Sequence, residues 1–180
     1  MKREIKSGPR KGLVIVNTGN GKGKTTAALG MMLRALGHGF RVIMLQVIKS
    51  RKHLYGEHLM AQRLGVEIIP LGDGFTWESD NIEFDKGLAA EAWRECRARI
   101  ESGSYDMVIL DELTYPINYG WLPLEEVLDV LERRDPQMHV VITGRDAPRE
   151  LIEFADLVSE INEIKHPFKR GVRAQAGVEL

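Results

Sequence analysis

The sequence predicts a single α/β domain in which a mostly parallel central sheet carries helices on both faces. Short, almost continuous apolar runs alternate along the chain with amphipathic or alanine-rich segments of helical length. This alternation is typical of β-α-β units, whose strands are buried on both faces and are therefore apolar throughout. The 180 residues suffice for one substantial core, and we expect a flexible basic arm at 1–11 followed by the domain at 12–180.

The first half of the chain is predicted to contain three strands and three helices. In order these are strand 12–17, helix 24–36, strand 41–48, helix 56–64, strand 66–69 and helix 84–102. Helix 24–36 is apolar on nearly every side, which predicts that it is buried all round. In helix 84–102, Trp93, Cys96 and Ile100 follow one another at steps of three and four. That spacing predicts a helix with one buried face.

The second half is predicted to complete the sheet. Its segments are strand 105–112, a loop at 114–122, helix 123–133, strand 138–143, helix 148–154 and an edge strand at 157–161. Four strand ends then fall at residues 16–18, 48–50, 111–114 and 143–145. Because right-handed crossovers bring the carboxyl ends of parallel strands to one edge of the sheet, we expect the ligand site at that edge.

Composition excludes several classes of protein. The 25 basic and 26 acidic residues leave a net charge of −1, so the strongly basic surface typical of nucleic-acid binders is missing. No run is long enough to cross a membrane, and the start of the chain lacks an apolar secretion signal. A single cysteine, Cys96, allows no internal disulfide. We therefore expect a cytoplasmic protein that binds neither nucleic acid nor membrane.

A glycine-rich loop joins the first strand to the first helix. Residues 17–26 read Asn-Thr-Gly-Asn-Gly-Lys-Gly-Lys-Thr-Thr. Strand, glycine loop and helix in this order form the context of a phosphate-binding loop. Gly19, Gly21 and Gly23 would let backbone N–H groups turn inward, and the following helix would point its positive end at the same spot. The loop therefore predicts a polyphosphate ligand.

Each polar residue of this loop has a predicted role. Lys24 would reach the phosphates as a point charge, and Thr25 would place its hydroxyl on Mg²⁺ or Mn²⁺. The generic motif has glycine where this chain has Thr18, so we expect unusual geometry where the loop begins. The remaining predicted contacts in the loop are Asn20, Lys22 and Thr26.

Two carboxylates follow the strand at 105–112. Asp111 and Glu112 have the position of the second nucleotide motif, which binds magnesium directly or through water. Glu112 could also activate a water, which keeps ATP hydrolysis open. Two arginines, Arg34 and Arg145, either contact phosphates or pair with acidic side chains, and the sequence favours neither alternative.

Two large aromatics, Phe75 and Trp77, lie in a segment of turn-forming residues. They either pack into the core or bind a flat ligand, and composition alone favours the core. Nucleotide binding by itself does not name a reaction, because kinases, ATPase motors and adenosyl transferases share this loop. Small size and balanced charge argue against a motor, and the lack of an arginine-rich lid argues against a small-molecule kinase. A RecA-like ATPase module and a regulatory nucleotide binder without turnover stay as alternatives.

Several runs, taken together and in order, resemble one family. They are 18–28, 74–77, 110–115, 119 with 122–127, 142–145 and the tail from 165. These runs resemble the P-loop type of ATP:corrinoid adenosyltransferase, the CobA/BtuR class, and the similarity covers nearly everything from residue 12 onward. Thr18 belongs to the family pattern as well. The resemblance implies a P-loop NTPase domain of RecA-like type.

The same resemblance implies a reaction. ATP would donate its 5′-deoxyadenosyl group to the cobalt(I) of a corrinoid and release triphosphate. Gly19 to Thr25 would bind the triphosphate, with Lys24 and Thr25 acting together with Glu112 in catalysis. The metal would be held by Thr25 with Asp111 or Glu112, of which Glu112 is favoured as the closer ligand.

The aromatic pair changes its interpretation in the light of this resemblance. Phe75 and Trp77 match the family's pair under the corrin ring, which helps to remove the lower axial ligand of cobalt. A four-coordinate cobalt(II) accepts an electron more easily, so a flavodoxin-like reductant would serve. Family members are expected to form homodimers. Only eleven residues precede Gly12, which leaves open how the corrinoid is covered.

Overall fold

The computed structural model describes residues 11–73 and 82–179. Its strands are β1 Val14–Thr18, β2 Val42–Ser50, β3 Glu67–Gly72, β4 Met107–Asp111, β5 His139–Thr143 and β6 Leu157–Glu160. Its α-helices are α1 Lys24–Gly37, α2 Gly56–Leu64, α3 Ile82–Glu101, α4 Thr114–Asn118, α5 Leu124–Arg133 and α6 Arg149–Phe154. A 3₁₀ turn at Pro167–Arg170 lies in the tail. None of these described helices is both long and apolar enough to span a bilayer.

The six strands form one sheet in the order β3-β2-β4-β5-β1-β6, and every adjacent pair is parallel. The prediction of a mostly parallel sheet is therefore confirmed. Because β5 lies between β1 and β4, the phosphate loop after β1 and the carboxylates after β4 are separated by one strand. The side chains at the end of β5 are consequently the ones that can join the two.

Side chains alternate between the two faces of the sheet. Val14 and Val16 of β1 belong to one core cluster, and Ile15 between them belongs to the other. The first cluster includes buried residues of α3, α5 and α6, whereas the second includes residues of α1 and α2. Helices therefore cover both faces of the sheet, as the alternation of apolar runs predicts.

The prediction that α1 is buried all round is wrong. Its buried residues are Ala28, Met32 and Ala35, whose spacing marks one face, and Leu33 is 59% exposed. The helix packs against one face of the sheet, so one side of α1 is buried and the opposite side is exposed. Alanine and methionine fit either environment, which is why composition alone misjudged the helix.

The prediction of a loop at 114–122 is also wrong, because this segment contains α4. Pro116 lies within the first turn of this short helix. A proline there removes an N–H group that has no partner inside the helix, so the turn tolerates it. Most of the other boundaries differ from prediction by less than one helical turn, as expected where helix ends fray.

We expect a buried leucine on α5 to contribute much more to stability than an exposed one on α1. Leu131 is 0% exposed, so Leu131→Ala should lower the free energy of unfolding by about 2–5 kcal/mol. Leu33→Ala, the matched control, should change it by less than about 0.5 kcal/mol. Urea unfolding measures both values. Equal losses in the two variants would contradict the described burial.

Candidate nucleotide site at the carboxyl edge of the sheet

The glycine loop lies between β1 and α1, as predicted. Gly19 and Gly23 have φ angles of 95° and 121°, which residues other than glycine rarely adopt. Gly21 is needed for a different reason, since a Cβ there would lie 2.7 Å from the carbonyl oxygen of Ile161. Its N–H donates to that oxygen at 2.6 Å. The chain after β6 therefore braces the loop, and the Gly21 N–H is directed to Ile161.

Thr18 explains the departure from the generic motif. It is the last residue of β1 and is paired in parallel with Glu160 of β6. Its buried hydroxyl accepts a hydrogen bond from the Ala147 N–H at 3.1 Å, and its carbonyl oxygen accepts one from the Ile161 N–H at 2.8 Å. The strand thus continues where the generic motif would begin its loop, and the threonine fixes that end to its neighbours.

Lys24 reaches back across the loop. Its ammonium donates to the carbonyl oxygens of Gly19 and Gly21 at 2.8 and 2.7 Å. Burial lowers the pKa of this lysine, and the positive charge of Arg145 lowers it further, while Glu112 opposes the change. The ammonium therefore lies where the loop closes, at the amino end of α1.

Asp111 lies at the end of β4 with no exposed surface. Its Oδ1 accepts hydrogen bonds from the hydroxyls of Thr25 at 2.8 Å and Thr143 at 2.6 Å. Burial raises the pKa of Asp111, and the two hydroxyls oppose that rise. The structure therefore brings Thr25 and Asp111, two predicted metal ligands, into direct contact.

Glu112 follows in an unusual backbone conformation. Its φ of 62° lies in the left-handed region, and its N–H donates to the Thr143 hydroxyl at 3.0 Å. Burial raises the pKa of Glu112 to about 7, and the charge of Asp111 adds to the rise, while nearby lysine and arginine side chains oppose it. A strained backbone conformation and a pKa far from its ordinary value are both common at functional sites, and Glu112 has both.

The two predicted arginines lie at different distances from the phosphate loop. Arg145 follows β5, and its charge affects the pKa of both Lys24 and Glu112, which places it beside the loop. Arg34 is exposed in the last turn of α1, about 15 Å along the helix axis from Lys24. The structure does not bring Arg34 to the phosphate loop.

The other predicted contacts fall in two groups. Asn20, Lys22 and Thr26 are exposed at or beside the loop. The ammonium of Lys22 forms an ion pair with Glu179 of the tail at 3.1 Å. Phe75 and Trp77 lie outside the described residues.

Sequence reasoning missed three residues next to this site. Thr143 joins Asp111 to the backbone of Glu112, and Gln46 and Lys49 of β2 lie in a polar cluster with α2. The signal was present in each case. Thr143 ends a strand at the predicted edge, Gln46 interrupts an otherwise apolar run, and Lys49 directly follows that run. A polar residue inside a buried strand needs a hydrogen-bonding partner, so such a position in the sequence indicates a polar cluster.

The donor set fits a magnesium ion. One hydroxyl and two carboxylates, from Thr25, Asp111 and Glu112, are hard oxygen ligands of the kind that Mg²⁺ prefers. Within residues 11–73 and 82–179, no group of three or more His, Cys, Asp or Glu side chains could hold a metal ion. Proteins commonly bind magnesium through one or two carboxylates together with substrate phosphates.

Comparisons with known proteins show the family of this chain. The family model for ATP:corrinoid adenosyltransferase BtuR/CobO/CobP matches residues 10–180. The corrinoid adenosyltransferase of Escherichia coli (strain K12) is 46% identical over 169 residues, which cover 94% of this chain and 86% of the relative. Corrinoid adenosyltransferase CobA of Salmonella typhimurium is 44% identical with the same coverage. That of Pseudomonas aeruginosa is 40% identical over 172 residues, 94% of this chain and 84% of the relative.

A solved structure supports the fold separately. The flagellar accessory protein FlaH from Methanocaldococcus jannaschii superposes with a TM-score of 0.59 over 84% of this chain and 71% of that chain, at 11% identity. At so low an identity the likeness concerns only the fold, which is of RecA-like type. The family itself follows from the model match and from the identity to relatives along most of the chain. The chain belongs to the ATP:corrinoid adenosyltransferases of the BtuR/CobO/CobP family, as its motifs predicted.

Proposed function

We propose that this chain transfers the 5′-deoxyadenosyl group of ATP to the cobalt(I) of a corrinoid. The electron pair of cobalt(I) forms the bond to the ribose 5′ carbon, and the bond from that carbon to oxygen breaks. Its electrons leave with triphosphate, and cobalt becomes formally cobalt(III). The observation that carries the proposal is the convergence of Lys24, Thr25 and buried Asp111 at the start of α1, in a member of this family.

The protein's part in this reaction is placement and charge. Because the nucleophile belongs to the substrate, no nucleophilic side chain is required. The attacked atom is the 5′ carbon, so the whole triphosphate must be held as a leaving group. The amino end of α1 favours that negative charge, whereas the Gly21 N–H is already donated to Ile161. Phosphate oxygens would replace the carbonyl oxygens of Gly19 and Gly21 as acceptors for the Lys24 ammonium.

We assign the metal to Thr25 with Asp111 and Glu112. Two adjacent carboxylates, one fully buried and the other partly buried, are costly to ionise, and burial raises the pKa of both. A divalent cation at this position would favour their ionised forms. Bound Mg²⁺ or Mn²⁺ would supply positive charge to neutralise the departing triphosphate.

Other parts of the proposal depend on the family resemblance alone. Phe75 and Trp77 are proposed to lie under the corrin ring, where they would favour loss of the lower cobalt ligand. A flavodoxin-like reductant and a homodimer remain predictions of the same kind. ATP and the corrinoid are the substrates of the proposed reaction, and Mg²⁺ or Mn²⁺ is its cofactor.

The first test identifies the phosphate product. Protein, Mg-ATP and chemically reduced cobalamin should yield triphosphate, and Lys24→Met should lower kcat/KM by about 100-fold or more, because a positive group at the leaving triphosphate is lost. Arg34→Met, the control, should retain activity within about two-fold, since Arg34 lies far from the loop. Phosphorus NMR identifies the product. Orthophosphate in place of triphosphate would support the RecA-like ATPase alternative.

The second test concerns the ionisation of Glu112. Its folded pKa of about 7 exceeds the ordinary 4.5, so the folded state binds this proton more tightly than the unfolded state does. Ionised Glu112 therefore lowers the free energy of unfolding. This loss of stability is absent below pH 4.5, grows as pH rises, and is complete above about pH 7. Glu112→Gln should therefore stabilise the protein by up to about 3 kcal/mol near pH 8, and by little near pH 4.5.

Urea unfolding in EDTA, repeated across this pH range, measures the difference. Glu132→Gln, at an exposed position of α5, is the matched control and should show little pH dependence relative to the original chain. A Glu112→Gln variant no more stable than the original chain near pH 8 would contradict the raised pKa.

The third test separates the two interpretations of the aromatic pair. Replacing Phe75 and Trp77 with alanine should abolish adenosylation that starts from cob(II)alamin, because the cobalt would keep its lower ligand and resist reduction. ATP binding should stay within about two-fold, as measured by calorimetry. Equal loss of both properties would instead indicate a role in the core.

A further inference from the structure

Gln46 is a fully buried polar residue beside the proposed metal site. It lies on β2 directly opposite Asp111 of β4 in the parallel register, and its exposed fraction is 0%. Met44, two residues earlier, belongs to the core cluster under α1, so Gln46 faces the same side of the sheet. A buried amide is costly unless both its ends are hydrogen-bonded, so its partners show what the site requires.

His58 decides which way the Gln46 amide is turned. The Tyr55 N–H donates to His58 Nδ1 at 3.0 Å, so that nitrogen is unprotonated and Nε2 carries the hydrogen of a neutral ring. Burial lowers the pKa of His58, which favours that neutral form. Nε2 lies 2.7 Å from Gln46 Oε1 and must therefore donate to it. The amide oxygen is thus directed to α2, and the NH₂ group is directed to the carboxylates.

The NH₂ group of Gln46 has two hydrogens and two carboxylate acceptors. Its nitrogen lies 3.3 Å from Asp111 Oδ2 and 3.4 Å from Glu57 Oε1. Burial tends to raise the pKa of Glu57, but the ion pair with Lys49 holds it below its ordinary value, so Glu57 stays an acceptor. Every hydrogen-bonding direction in this cluster therefore agrees with an ionised Asp111.

The contacts hold both oxygens of the Asp111 carboxylate. Oδ1 accepts from the hydroxyls of Thr25 and Thr143, and Oδ2 accepts from Gln46. A carboxylate bound at only one oxygen could turn about its last bond, whereas one bound at both oxygens keeps one orientation. Groups that orient a metal ligand in this way commonly change metal affinity when they are removed.

We propose that Gln46 is a positioning residue, oriented by His58, that holds the Asp111 carboxylate ready for the metal ion of the nucleotide site. The inference rests on the proposed function, because that function makes Asp111 a metal ligand. It gives a role in metal binding to α2, although the phosphate loop adjoins α1 and not α2. The alternative is that the cluster only joins α2 to the sheet.

The experiment measures Mn²⁺ binding rather than turnover. Free Mn²⁺ is followed by electron paramagnetic resonance in the presence of a non-hydrolysable ATP analogue, and analogue binding is measured separately in EDTA. Gln46→Met keeps the length of the side chain but removes its amide, and should raise the Mn²⁺ dissociation constant by about 10-fold or more. Analogue affinity in EDTA should change by less than about two-fold, because the phosphate loop is untouched.

Matched variants define the controls. Gln62→Met replaces an exposed glutamine of α2, the helix that carries His58, and should change neither constant. His58→Leu should weaken Mn²⁺ binding by about three-fold or more, and His58→Gln, which can still donate a hydrogen bond to Gln46, should restore most of it. If Gln46→Met does not fold, the comparison of His58→Leu with His58→Gln tests the inference in its place.

Two results would overturn the inference. One is an unchanged Mn²⁺ constant in Gln46→Met, or, if that variant does not fold, in His58→Leu. The other is an equal weakening of Mn²⁺ binding and of analogue binding in EDTA, which would indicate a purely structural cluster. Asp111→Asn separates this inference from the proposed function. If Asp111→Asn leaves Mn²⁺ binding intact, the metal assignment of the proposed function fails, whatever Gln46 does.

Discussion

The arrangement of the site depends on how one fully buried carboxylate, that of Asp111, is stabilised. A charge without access to water is tolerated only where other groups supply hydrogen bonds or opposite charge. Thr25 supplies one from α1, Thr143 one from β5 and Gln46 one from β2. The first helix and the neighbouring strands are therefore joined at their ends by polar contacts as well as by apolar packing.

Strand order makes this arrangement possible. Inserting β5 between β1 and β4 places a strand end beside Asp111 on one side, while β2 lies on the other. A small hydroxyl residue on β5 can reach both the carboxylate of Asp111 and the N–H of Glu112, which is what Thr143 does. A larger apolar residue at the same place would leave the Glu112 N–H and Asp111 with fewer partners.

The phosphate loop is stabilised from the opposite side by the chain that follows β6. Contact of Gly21 with Ile161, and the continuation of β1 through Thr18, fix both the beginning and the middle of the loop. Binding sites work best when the backbone that contacts the ligand is already in place, because less ordering is needed on binding. Gly19 and Gly23 thus allow the backbone to turn, and Gly19 and Gly21 both allow the segment at Ile161 to approach.

Local sequence determined the fold class, the parallel sheet, most helix and strand limits, and the phosphate loop with its two carboxylates. These features follow from patterns within a few residues: apolar runs, helical spacing, and glycines before a lysine and a threonine. Family membership also followed from the order of the motifs. The exposed side of α1 and the helix α4 were decided by tertiary packing, which no local pattern contains. The distance of Arg34 from the loop, by contrast, follows from its place along the predicted helix. The polar cluster of Gln46, His58 and Asp111 was decided in the same way, since residues distant along the chain meet only when strands β2 and β4 pair.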